Sequence, residues 1–196
     1  MAERDREKWQ ARYLQRATEP ESALQIPRAP HWVEHFSERL ADGALLDVAS
    51  GDGACALHLA RDPRFHVTAL DIAQAGLDRL AGFAASQGVN VSCIQGDLDD
   101  AKCLAQLGEF RSVVINYYKP SAAQWEGIIA LLQPGGTLLM NTFNARQHSD
   151  CGFNLRFCLT PGELLTLGET LQLEDYRSSE SAPYCDTYLF TKLGPA

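Results

Sequence analysis

The chain has 196 residues, of which 45% are apolar and 21% charged, with a formal net charge of −8. These proportions exclude a disordered or fibrous chain, and a chain of this size buries roughly 70% of its unfolded surface without needing disulfides or metals. The longest apolar run, Ile128 to Leu132, is five residues, where a membrane span needs about 20, and the acidic balance weighs against a nucleic acid partner, whose binding rests on phosphate neutralisation.

In chain order, the first eight residues are polar and of mixed charge, without the apolar core of a signal peptide, so a cytoplasmic location is expected. Trp9 and Tyr13 are spaced four apart, as are Arg4, Lys8, Arg12 and Arg16, which predicts a helix with an aromatic face and a basic face, closed by Thr18-Glu19-Pro20. The basic face reads either as a solvated surface or, through Arg12, as a partner for an anion. A second helix is expected from Pro30, with Trp32, Phe36 and Leu40 buried and Gly43 as its C-terminal cap. Then β and α segments alternate. Strands are expected at 44–49, 66–70, 89–95, 112–116 and 137–142, with helices at 54–61, 73–86, 101–107 and 121–132 between them, the last closed by Pro134-Gly135-Gly136. This alternation predicts a parallel, doubly wound sheet. An irregular stretch runs to Thr160, a short helix opens at Pro161, and strands at 171–177 and 184–192 suggest a hairpin on the sheet edge. Of the six cysteines none forms a C-x-x-C pair, and three read as core thiols.

In such a sheet, ligands bind beyond the carboxyl ends of the strands. After the first strand, Gly51 and Gly53 let the backbone approach a ligand closely, with Asp52 between them. Asp47 can face an ammonium group. Asp71, followed by Ile72, ends the second strand, where an acid can take both ribose hydroxyls. Asp97 can accept from a purine amine, with Leu98 beside the ring. Together these describe S-adenosylmethionine. Gly51-x-Gly53-x-x-Ala56 also fits a dinucleotide fingerprint, but an acid inside the first strand and another after the third favour the methyl donor. Asn116, Tyr117 and Tyr118 follow the fourth strand, where a methyl acceptor must pass; either tyrosine is equally well a packed aromatic. His148 is a candidate base. Cys151 and Cys158 could hold a soft metalloid, and His31 and His35 lack the pattern of a metal pair, so no metal is expected.

The motifs LLDVASGDG (45–53), LDI (70–72), QGDL (95–98) and QPGGTLLM (133–140) resemble those of class I S-adenosylmethionine-dependent methyltransferases. Lys8-Trp9-x-x-Arg12-Tyr13 and Phe157-x-Leu159-x-Pro161-Gly162-Glu163-Leu164 are similar to the tellurite-resistance (TehB-like) subgroup. The resemblance implies a Rossmann-like, mostly parallel seven-stranded sheet with a C-terminal antiparallel hairpin. It implies a helical lid over 1–43 and a methyltransferase domain over 44–196, with S-adenosylmethionine as cofactor. It also implies that Trp9, Arg12 and Tyr13 close over the site. Ala49 stands where the family pattern has its first glycine, and Asn116 lacks the two prolines that amino-methylating relatives carry after it. The acceptor is therefore expected to be a small molecule, with thiols and chalcogen or metalloid oxyanions as candidates, bound by a monomer or homodimer. A NAD-dependent oxidoreductase, a non-catalytic cofactor-binding scaffold, and protein or RNA methylation stay open as alternatives.

Overall fold

The computed structural model describes residues 2–20, 25–167 and 169–194. Helix α1 (Ala2–Thr18) has Glu3 and Asp5 in its first turn and Arg16 in its last, each charge opposing the helix dipole. Helix α2 (His31–Phe36) continues as a 3-10 turn, Ser37–Arg39. This tightening corrects two expectations. The buried stripe is Val33, Phe36 and Leu40, with Trp32 only half-buried, because the helix ends before a second full turn. Gly43 does not cap a helix but opens the first strand, at φ 122.

The sheet has seven strands: β1 (Gly43–Val48), β2 (Phe65–Asp71), β3 (Val91–Gln95), β4 (Phe110–Asn116), β5 (Leu132–Phe143), β6 (Leu171–Ser178) and β7 (Cys185–Lys192), in the order 3-2-1-4-5-7-6. The first five are parallel. β7 runs antiparallel beside β5, and β6 antiparallel beside β7, so the terminal hairpin extends the sheet. The crossovers are α3 (Ala54–Leu59), α4 (Gln74–Gln87), α5 (Ala101–Ala105) and α6 (Ala122–Leu131). Alternation along β1 sends Leu45 to one face, with Val33, Phe36, Leu57, Leu77 and Leu80, and Leu46 to the other, with Leu104, Trp125, Ile128 and Phe190. Both faces are covered, as parallel sheets require. From β1 the chain runs outward to β2 and β3, then crosses back to β4 on the other side of β1, which puts the switch point between β1 and β4.

Three further expectations are corrected. Pro134-Gly135-Gly136 lies inside the bounds of β5: pairing passes from Phe110–Leu132 to Ser112–Thr137, so the triplet bulges out, with Gly135 at φ 72. The stretch 144–160 is not irregular throughout. Asn144 caps α7 (Ala145–Cys151), Gly152 closes it at φ 69, and Asn154 caps a 3-10 turn, Leu155–Phe157. The short helix expected at Pro161 is a 3-10 turn, Glu163–Leu167. Cys55, Cys158 and Cys185 are buried and Cys151 is exposed; all six thiols are free. Among the described residues no helix is long and apolar enough to cross a membrane.

Candidate active site

The loop after β1 is shaped by its backbone. Ala49, Gly51 and Gly53 all have positive φ (53, 58 and 91), a region that costs a residue with a Cβ about 1 kcal/mol or more. Gly53 must be glycine for a second reason, since a Cβ there would overlap the Leu80 side chain. Asp71, at the end of β2, holds the loop. Its Oδ2 accepts from Gly51 N–H and its Oδ1 from Ala73 N–H, both at 2.8 Å. The carboxyl is 8% exposed, and burial raises its pKa against the lowering effect of these two bonds. Asp47 lies beneath the loop, 1% exposed, with Oδ2 accepting from Ala56 N–H in the first turn of α3 at 3.0 Å. Burial pushes its pKa up to about 7. It thus joins β1 to α3. Asp52 faces Arg16 of α1 and Arg79 of α4, both at 3.4 Å.

Helix α1 rests on this loop. Tyr13 is 8% exposed, packed with Ala73 and Ala75 and flanked by Trp9 and Ile72. Burying a ring of this size contributes about 1.5–3 kcal/mol. A Cβ at Gly51 would overlap the Tyr13 hydroxyl, and one at Gly76 would lie 3.1 Å from the Tyr13 ring. The two glycines therefore form the seat of the tyrosine. Helix α4 has no side-chain cap of its own at Ala73; instead Gln10 of α1 accepts from Ala75 N–H at 3.0 Å. The Arg12 guanidinium lies 5.0 Å from the centre of the Trp9 ring.

The loop after β3 is folded on itself, Asp97 accepting from Asp99 N–H at 2.9 Å, with Leu98 half-buried against the core. Two open depressions flank Gln95: one of about 270 Å³ toward Arg6, Glu7 and Gln10 of α1, the other of about 340 Å³ toward Asp100, Lys102 and Cys103.

The residues after β4 separate. Asn116 accepts from the Asn141 amide at 3.3 Å. Tyr117 has φ 54, is 46% exposed, donates its N–H to Asn141 O at 2.8 Å and stacks on Phe143 at 4.8 Å. Tyr118 turns toward α6, its hydroxyl donating to Gln124 at 2.8 Å, while Gln124 reaches Asp99. Burial pushes Tyr118 up to about 12 and raises Tyr117 as well. His148 Nδ1 lies 2.7 Å from Phe153 O and is spent on closing the end of α7. Cys158 is buried with its thiol over Asn154 O. His31 and His35 are exposed, and no cluster of metal-ligating side chains occurs among the described residues.

The structure thus brings Trp9, Tyr13, Gly51, Asp71 and Ile72 together, with Asp52 at their edge. It separates Tyr117 from Tyr118. Sequence reasoning missed Gln10, Gly76 and Arg79, and also the rings Phe143 and Phe153, while Phe157 stood in the subgroup motif with no role assigned to it. Gly76 in the first turn of a helix was a signal that could have been read; Phe143 closes β5 and Phe153 follows α7 without a pattern that marks a site.

The residues present fit a nucleoside methyl donor. The glycines of the loop permit close backbone approach beside the Tyr13 ring, and the buried Ser50 hydroxyl within the loop has no hydrogen-bond partner among the described residues. Residues 45–136 match a family described as a methyltransferase domain. No curated protein matches the chain in sequence. Solved structures match its fold. One, of the conversion of a disulfide bond into a thioacetal group during echinomycin biosynthesis, is 19% identical, with 97% of this chain and 94% of that chain covered and a TM-score of 0.74. The N-methyltransferase NodS from Bradyrhizobium japonicum WM9, in complex with S-adenosyl-L-homocysteine, is 16% identical, with 94% and 98% covered and a TM-score of 0.67. TehB from Haemophilus influenzae is 15% identical, with 83% and 62% covered and a TM-score of 0.67. Strand order, the glycine loop after β1 and the family match coincide on the same segment: residues 45–136 match a methyltransferase domain, set in the fold that the solved class I methyltransferases share.

Proposed function

We propose that the protein methylates a small molecule enclosed beneath α1, in a cytoplasmic setting, with residues 1–43 as the lid and 44–196 as the catalytic domain. The observation that carries this reading is Tyr13 seated on Gly51 and Gly76. A helix that lies directly on the donor loop leaves room for a small acceptor better than for a folded macromolecule.

S-adenosylmethionine, when bound, supplies a methyl group already activated on a sulfonium. The protein's task is then alignment and exclusion of water. The backbone of Ser50 to Gly53 and the Ser50 hydroxyl hold the donor, with Asp71 on the ribose and Asp97 and Leu98 toward the base. Asp47 and Asp52 act on the shape of the loop and on the lid. Asn116 and Tyr117 face the acceptor. Both phenols after β4 are held protonated at neutral pH, the direction opposite to that of a base. This supports an acceptor that ionises by itself, such as a thiol, which needs little help in losing its proton. The sulfur chemistry of the echinomycin structure points the same way.

A thermal-shift titration separates the readings. S-adenosylhomocysteine is expected to raise the melting temperature and NADH to leave it unchanged. Protection by NADH alone would replace the methyltransferase reading with an oxidoreductase, and protection by neither would leave a scaffold.

A further inference from the structure

Beyond the carboxyl ends of β4 and β5, four rings run in a row. Tyr117 stacks on Phe143 at 4.8 Å and 10° between planes; Phe143 meets Phe153 at 4.4 Å; Phe153 lies 6.1 Å from Phe157. None of the four is fully buried. Tyr117 is the most open, and it is held there at a backbone angle that bulky residues avoid, pinned by its N–H on Asn141. Strain of this kind, of order 1–3 kcal/mol, persists where surrounding structure imposes it, and such positions cluster at ligand sites. A core ring would not need it.

The far end of the row carries charge. The Lys8 ammonium and the Arg156 guanidinium both lie over the Phe157 ring, at 5.8 and 4.5 Å. Neither has a carboxylate partner among the described residues, in a chain with a net charge of −8. Lys8 also ties the row to the lid. It is five residues from Tyr13 on the same helix, a separation of roughly 7.5 Å along the axis. The helix that seats Tyr13 on the donor loop therefore brings a cation to the ring row.

From this juxtaposition we propose that the acceptor site binds a planar aromatic body bearing a carboxylate, its ring against Tyr117, Phe143 and Phe153 and its anionic group at Lys8 and Arg156. The inference rests on the methyl-transfer reading above and names its substrate class. The rings supply stacking and apolar area. The two cations supply a charge-assisted pair to the carboxylate that a neutral ligand cannot use.

The test measures binding, so it does not depend on which atom is methylated. Calorimetry on the full chain, with and without S-adenosylhomocysteine, compares 2-naphthoate with 2-naphthamide, which keeps the rings without the charge, and with octanoate, which keeps the charge without the rings. The expected result is 2-naphthoate at least about tenfold tighter than either. The Lys8→Gln/Arg156→Gln double variant, altered only at exposed side chains, should bring 2-naphthoate to the level of the amide and leave the amide unchanged. Phe153→Leu should weaken both aromatic probes and not octanoate. Equal affinity of naphthoate and naphthamide, equal affinity of naphthoate and octanoate, absence of naphthoate binding, or indifference to the double variant would each overturn the proposal. If S-adenosylhomocysteine binds and the ring carboxylate shows no preference, only the acceptor class falls. If S-adenosylhomocysteine fails to bind, the donor reading falls, while the probe comparison still decides the ring site.

Discussion

Replacing Asp71 with alanine removes one side chain that has two tasks. In the free protein its oxygens satisfy the N–H groups of Gly51 and Ala73, each at 2.8 Å. Leaving a buried donor without a partner costs about 1–3 kcal/mol, so two would cost about 2–6 if nothing else changed. Something else does change. The raised pKa of Asp71 means that burying its charge outweighs the stabilisation the two bonds give that charge, and alanine removes this burden. The net loss is therefore expected nearer 1–3 kcal/mol. For the donor, losing charge-assisted bonds to the ribose costs about 1.5–3 kcal/mol, a weakening of about tenfold to a hundredfold. Urea unfolding gives the first quantity and calorimetry with S-adenosylhomocysteine the second. Asp71→Asn, which keeps one acceptor, should fall between wild type and alanine in both. A folded alanine variant that binds S-adenosylhomocysteine within about twofold of wild type would refute the ribose role. An unchanged urea midpoint would refute the loop-holding role.

Three other outcomes are expected. Asp47 has a folded pKa raised to about 7 from 3.8, so the folded state holds its proton more tightly than the unfolded chain. Its contribution to stability falls as pH rises from about 4 to about 7; Asp47→Asn, whose amide oxygen can still accept from Ala56 N–H, should flatten that part of the pH–stability curve and be the more stable protein at pH about 8. In Gly76→Ala the new Cβ would lie 3.0 Å from Gly51 O and 3.1 Å from the Tyr13 ring. The helix gains about 1 kcal/mol of propensity, which offsets the crowding in global stability, but hydrogen exchange of α1 should accelerate; unchanged exchange would mean that the lid does not depend on this seat. Ala49→Gly relieves a left-handed residue at φ 53 and should leave the melting temperature equal or higher, since the gain of about 1–2 kcal/mol exceeds or matches the added freedom of the unfolded chain; a clear drop would count against the strained loop.

The sheet was readable because its strands are short apolar runs between strong punctuation, as in LLDVA before Ser50-Gly51 and SVVIN before Tyr117. The terminal hairpin was readable as a strand pair, but not that β7 rather than β6 would lie beside β5, since hairpin pairing does not fix which strand meets the sheet. Where reading failed, local signals competed. Trp32 is the larger side chain, but Val33 faces the core because α2 tightens after Phe36. The triplet Pro134-Gly135-Gly136 marks a bulge as well as it marks a turn. In the site, the spacing of Gly51, Gly53 and Asp71 located the loop but could not say where the Asp71 oxygens point. Backbone N–H groups are invisible in a sequence, and both oxygens proved to be engaged with them. The four-residue spacing of Trp9 and Tyr13 announced a shared helix face. That Tyr13 lands on two glycines is a tertiary fact, as is the meeting of Phe143 at the end of β5 with Phe153, Phe157 and Tyr117.

The most direct measurement is the crystal structure of the complex with S-adenosylhomocysteine. The ribose hydroxyls should lie within hydrogen-bonding distance of Asp71, the amino-acid portion over Ser50 to Gly53 beneath Tyr13, and the sulfur turned toward Asn116 and Tyr117. An adenosine bound elsewhere, or a sulfur facing away from the ring row, would contradict this placement.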